Sequence, residues 1–297
     1  MKRNKKRLIQ LVVVLFVAFT LIIIKNQSAS WRAKFLPQKS NQPFSSLKKE
    51  EITELLITKD KTISLYKKGE FWFTKKDNNE FRADEERINK IVESLINLKK
   101  GDTVSSNKNK HQDLGINKQK IEIKIPGKSY VIYIGNTSWM SNNFVRIDNE
   151  NEVFTSAGFE EVFTSDDYRD LLLHLVNHEA KVTSIEIYFD DKKTVLSKKG
   201  NAWKIGNKSV KKDRVDFFIN DLKTLKAKDI FKKPENYQPV DPEVSITVKE
   251  SNQEKNIRFY YGDEENYSAN ITTSNFDYTI VSAYVASLKK EEKDFLE

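Results

Sequence analysis

The 297-residue chain has no cysteine. That absence removes disulfides, cysteine-ligated zinc and iron–sulfur centres, a thiol nucleophile and the lipid-bearing cysteine of a bacterial lipoprotein. Histidine occurs three times, at His111, His174 and His178, and no HExxH pattern is present. His174 and His178 lie four apart in DYRDLLLHLVNHEA and would share a helical face, but a zinc site needs a third ligand from elsewhere. The segment follows Ser165-Asp166-Asp167, an N-terminal capping pattern, and reads as a surface helix linking two folded parts. There is no GxSxG and no P-loop. Adjacent carboxylates occur at Asp190-Asp191 and Glu264-Glu265 in polar turns, whereas acid–base pairs need opposed side chains in different environments. No catalytic residue, metal site or cofactor is expected.

What is present is a folded composition with a localised charge. The chain is 38% hydrophobic and 32% charged with 18 Phe and 11 Tyr, too aromatic for disorder and long enough for two domains. Its formal net charge is +8, but MKRNKKR supplies five positive charges before the first apolar run, which leaves +3 for the rest. Later lysines sit in mixed runs such as KKEE and KKEEKD, so they read as solvated surface and no nucleic-acid partner is expected.

From Leu8 to Ile24 the chain runs 17 residues without a charge. As a helix this covers roughly 26 Å, close to the hydrocarbon thickness of a bilayer. Five basic residues precede it and few follow closely, so the positive-inside rule keeps the N-terminus cytoplasmic and places the remainder outside the plasma membrane. The competing cleavable signal peptide is less consistent with the length of the run and with Lys25. The expected organisation is a basic tail (1–7), a single-pass membrane anchor (8–24) and a linker (25–50). A first repeat (51–165), a connecting helix (166–180), a second repeat (181–288) and a polar tail (289–297) follow.

The two repeats are read from recurring landmarks. LYKKGEFWF and LSKKGNAWK lie 131 residues apart, each with KKG and a Trp three residues after the Gly. Asp84 reads as the N-cap of a helix whose apolar stripe is Ile88, Ile91, Val92, Leu95 and Leu98. An offset of 127 maps that stripe onto Val215, Phe218, Ile219, Leu222 and Leu225. After each helix come two strand patterns, KIEIKI with YVIYIG and VSITVK with IRFYYG. The fold class expected is α+β: two tandem repeats, each a mainly antiparallel sheet with one main helix, after the membrane helix. A two-residue Lys-Gly loop would set Leu65 opposite Trp72 and Leu196 opposite Trp203, and a three-residue loop with a Gly bulge would shift that register by one. The two Trp read as core.

One face of the hairpin distinguishes the repeats. Tyr66, Phe71 and Phe73 of the first correspond to Ser197, Ala202 and Lys204 of the second. The aromatic trio is either buried under another layer or a docking surface for a partner.

The landmarks ITELLITKD and VTSIEIYFD, the KKGxxW hairpins, DEERINKIVESLINLK, QDLGI at Gln112 to Ile116, YVIYIGN, and YRD at Tyr168 to Asp170 resemble, in their order, the bacterial family called domain of unknown function 4340. The resemblance covers nearly the whole exported portion. QDLGI departs from the family's usual Gly-Leu order, and the second repeat has PVDPEV at that place. The resemblance implies a membrane-anchored accessory protein encoded beside ABC transporters of the gliding-motility type, with permease or ATPase subunits as partners and no catalytic residues to carry over. The alternative is an envelope ligand-binding protein or an enzyme acting on wall or surface polymers.

Overall fold

The computed structural model describes residues 41–138, 142–159, 162–163, 166–233 and 241–296. The basic tail, the anchor at 8–24 and residues 25–40 of the linker lie outside them. No helix among the described residues is long and apolar enough to cross a membrane.

Short alternating runs bounded by tight turns make the first sheet. In chain order its strands are β1 (Glu54–Thr58), β2 (Thr62–Lys68), β3 (Phe71–Lys76), β4 (Asn79–Arg82), β5 (Thr103–Ser105), β6 (Gln119–Ile125), β7 (Lys128–Thr137), β8 (Asn143–Ile147) and β9 (Val153–Ser156). The second sheet has β10 (Val182–Phe189), β11 (Lys192–Lys199), β12 (Ala202–Ile205), β13 (Lys208–Ser209) and β14 (Asp229–Lys232). It is completed by β15 (Val244–Glu250), β16 (Gln253–Tyr261), β17 (Asn266–Ile271) and β18 (Phe276–Val281). The spatial orders are β4-β3-β2-β1-β6-β7-β8-β9-β5 and β13-β12-β11-β10-β15-β16-β17-β18-β14, identical once nine is added to each strand of the first. The chain therefore holds two tandem nine-stranded antiparallel sheets of one topology. With so few helices it is mostly β, and the expected α+β balance gives way to strands too short to show a period in the sequence.

Each sheet has a helix between its fourth and fifth strands in sequence, α1 (Glu85–Ile96) and α2 (Lys212–Thr224). Both carry the expected stripe. Ile88, Ile91, Val92, Leu95 and Leu98 are buried, as are Val215, Phe218, Ile219, Leu222 and Leu225. Asp84 caps α1, its Oδ1 accepting from Arg87 N–H at 3.0 Å. Each fully buried aliphatic side chain contributes about 1.5–3 kcal/mol, so these stripes fix the covered face of each sheet.

The repeated KKGxxW landmark is a hairpin turn and a covered tryptophan. Lys68 pairs with Phe71 and Lys199 with Ala202, so the two-residue loops are Gly69-Glu70 and Gly200-Asn201. Gly69 and Gly200 take φ of 62° and 63°, the left-handed start that a II′ hairpin turn requires. This differs from the expected register. Leu65 lies opposite Thr74, and Lys67 and Lys198 lie opposite Trp72 and Trp203. The slip is two residues, which preserves the face, so Leu65, Leu196 and both tryptophans remain in the core. The first lysine of each KKG covers the indole, with Nζ 5.2 Å from the Trp72 ring and 6.0 Å from that of Trp203.

Three expected segments differ from the structure. Residues 166–180 form no connecting helix. They run as irregular chain, with isolated bridges at Arg169 and Leu172 and a single 3-10 turn at Glu179–Lys181. Their polar side chains bind backbone locally: Asp167 Oδ1 accepts from Arg169 N–H, and Asp170 Oδ1 from Leu172 N–H, which competes with helix formation. The described end of the linker belongs to the folded part, because Phe44 is buried edge-on against Tyr130. The tail at 289–297 is not merely polar either. After α3 (Ser282–Leu288), the short α4 (Glu292–Phe295) buries Phe295 edge-on against Phe218 at 5.6 Å.

By packing, Leu65–Ile88 group with Asp167–Glu297, while the remainder of the first repeat forms its own compact unit. One hydrophobic core accordingly joins Phe81 to the side chains of the second sheet. Phe81 and Phe276 meet with ring centroids 4.9 Å apart.

Candidate functional site

The outer face of the first hairpin is built by strand parity. Tyr66 pairs with Phe73, Lys68 with Phe71, Phe73 with Arg82 and Lys75 with Glu80, so all seven side chains share the face opposite Trp72. Phe71 is 44% exposed and Tyr66 and Phe73 are half-buried, so among the described residues no complete further layer covers them. The Tyr66 and Phe73 rings stack at 6.4 Å, and Lys68 Nζ lies 5.9 and 5.7 Å from them. Arg82 Cζ stands 4.0 Å from the centre of the Phe71 ring.

Glu80 organises this face. Tyr66 Oη donates to Glu80 Oε2 at 2.5 Å and Lys68 Nζ to Oε1 at 2.7 Å. Burial and then the Glu80 carboxylate push the Tyr66 phenol up to about 12. The hydrogen bonds from Lys68 and Tyr66 hold the Glu80 carboxyl below its ordinary range. The result is a rigid aromatic surface with three cations at its margin. The second repeat, with Ser197 and Lys204 paired and Ala202 opposite Lys199, has no such aromatic surface.

The YRD segment makes a latch. Tyr168 is buried with Arg87 Cζ 4.1 Å above its ring, and its carbonyl accepts from Asp84 N–H. The Arg169 side chain, 3% exposed, donates to Asp167, to Asp229 Oδ1 at 2.6 Å and to the Ile230 carbonyl at 2.5 Å. Burial pushes the Asp167 and Asp229 carboxyls up, but hydrogen bonds from Arg169 outweigh it and leave both below the ordinary range. These ties explain a motif that sequence reading treated only as a landmark.

The structure brings one histidine into a cleft and leaves the others apart. His174 takes φ of 51°, and its Nε2 lies 2.6 Å from Asp170 Oδ2. His178 instead presents its backbone N–H to Glu250, and the His111 ring meets the Asn151 carbonyl. Among the described residues no group of three or more His, Cys, Asp and Glu is placed to hold a metal. The paired carboxylates Asp190 and Asp191 form a turn with φ of 49° and 55° between β10 and β11. Beside His174 lies a cavity of about 340 Å³ with Phe81, Ile230, Ile271 and Phe276 in its wall and Lys255 and Arg82 at its polar side. Sequence reading missed it because its lining comes from five separate segments.

A family model described as domain of unknown function (DUF4340) matches residues 72–242, more than half of the chain. The chain belongs to the DUF4340 family. Neither a curated protein nor a solved structure matches it. The DUF4340 match begins at Trp72 and runs through the YRD latch into the second sheet, so it covers less of the chain than the sequence landmarks suggest. Phe73 of the aromatic face lies inside the match and Tyr66 and Phe71 lie just before it.

Proposed function

We propose that this DUF4340 protein is a non-catalytic accessory subunit, anchored by residues 8–24 in the plasma membrane with its N-terminus inside. Its two sheets act outside the membrane as a partner-binding module of an ABC transporter complex. The observation that carries the reading is the half-exposed Tyr66–Phe71–Phe73 surface, found on one hairpin and absent from its equivalent. Rigid aromatic rings beside arginine are the side chains that dominate protein interfaces. Lys68, Lys75 and Arg82 against Glu80 and Glu85 leave the face net cationic, so the complementary surface is an acidic extracytoplasmic loop of the permease. The ATPase would then co-purify through the permease.

The test is affinity purification of the full chain from gently solubilised membranes, with identification of what accompanies it. A permease and its ATPase are expected. Recovery of the chain alone, or its release from membranes by carbonate, contradicts the reading. The second reading, an envelope ligand-binding protein or enzyme, draws on the cavity beside His174.

A further inference from the structure

The cavity beside His174 combines an apolar wall with a cation that forms no ion pair among the described residues. Phe81 and Phe276, in contact with each other, and Ile271 supply aromatic and aliphatic surface. Lys255, projecting from β16, is partly buried, and burial holds its ammonium below the ordinary lysine range. Its Nζ donates to the His174 carbonyl.

The nearby acids are already engaged. Asp170 accepts from Leu172 N–H and contacts His174 Nε2. Glu250, whose charge is felt at Lys255, accepts from the N–H groups of Asn177 and His178. Arg82, at the same cavity, is paired with Glu85 at 3.0 Å. Lys255 therefore stands at the edge of an apolar hollow without an ion-pair partner among the described residues. A charged group so placed loses hydration and gains most from an anion that brings its own apolar body.

We infer that this cavity binds a small molecule carrying one carboxylate on a compact aromatic or aliphatic body, with the carboxylate on Lys255 and the body against Phe81, Ile271 and Phe276. A carboxylate is favoured over a phosphate because, among the described residues, Lys255 is the one cavity cation outside an ion pair, enough to match a single negative charge. The size fits the smaller end of small-molecule sites. The site adjoins the aromatic face at Arg82, which stacks on Phe71, but does not depend on the docking reading.

The test is calorimetric titration of the full chain in lipid nanodiscs with phenylacetate, with its neutral isostere phenylacetamide and with empty nanodiscs as the blank. Saturable phenylacetate binding is expected, with the amide at least about tenfold weaker. Lys255→Met should bring the acid down to the level of the amide, and Lys255→Arg should restore it. Absence of saturable binding, equal binding of acid and amide, or acid binding unchanged in Lys255→Met would each overturn the assignment. Should Lys255→Met fail to fold, the comparison of acid with amide on the unaltered chain decides alone.

Discussion

Neutralising both acids of the latch, Asp167→Asn with Asp229→Asn, leaves the Arg169 guanidinium buried without a counter-charge. Stranding one partner of a buried pair commonly costs about 3–5 kcal/mol. Here the carboxylates are 34% and 50% exposed, so water already screens part of their attraction, and the amide oxygens can still accept. About 2–3 kcal/mol is expected for the double variant. Asp229→Asn alone should cost roughly 1 kcal/mol, because Asp167 still grips Nε and Nη2 together. For units of this size 2–3 kcal/mol lowers the melting temperature by roughly 5–10 °C, measurable by calorimetry of the full chain. Both acids have folded pKa values below the unfolded ones, so their contribution is complete above the ordinary carboxylate range and is lost as pH falls through the lower folded values. The gap between wild type and double variant should thus be constant from neutral pH to about pH 5 and shrink below about pH 4. A double variant that melts with wild type at neutral pH would refute the latch.

Other changes test other joints. Gly135→Ala places a Cβ 2.3 Å from the Leu114 carbonyl oxygen, where the QDLGI loop crosses β7, and should cost on the order of 2 kcal/mol in chemical denaturation. Phe295→Ala empties the pocket against Phe218 and should cost about 3–4 kcal/mol, whereas a merely polar tail would tolerate it within about 0.5 kcal/mol. Spectrophotometric titration of wild type against Tyr66→Phe should isolate a phenol ionising near 12, and Glu80→Gln should move it down toward the ordinary tyrosine value.

The parts of the fold legible in the sequence were those with long or repeated signals. The stripe from Ile88 to Leu98 and its copy from Val215 to Leu225 show helical spacing over several turns, and both are buried as that spacing predicts. The duplicated order was readable because KKGxxW recurs at a nearly constant offset. Strands such as β4, β5, β13 and β14 were not, since two to four residues cannot display a period of two. The segment from Asp166 to Ala180 misled because LLLHLV imitates a helix, while the preceding Asp side chains bind backbone N–H groups in an irregular chain. At the candidate site, Tyr66, Phe71 and Phe73 stood out by comparison between repeats. Glu80 and Arg82, which organise that face, come from a strand too short to read. The Lys255 cavity left no local signal at all, since nothing in sequence links Phe81, His174, Lys255 and Phe276.

The central proposal, docking through the aromatic face, is tested most directly by replacing Phe71 and Phe73 with Ser in the full chain. Melting temperature and co-purified transporter subunits are then compared with wild type. Loss of one aromatic anchor commonly weakens binding by about 2 kcal/mol, roughly thirtyfold, and loss of two should abolish recovery of the permease. Because Phe71 is 44% exposed and Phe73 half-buried, the melting temperature should fall by no more than a few degrees. Undiminished recovery of permease by a folded variant, or unfolding of the variant, would contradict the assignment of this face as the docking surface.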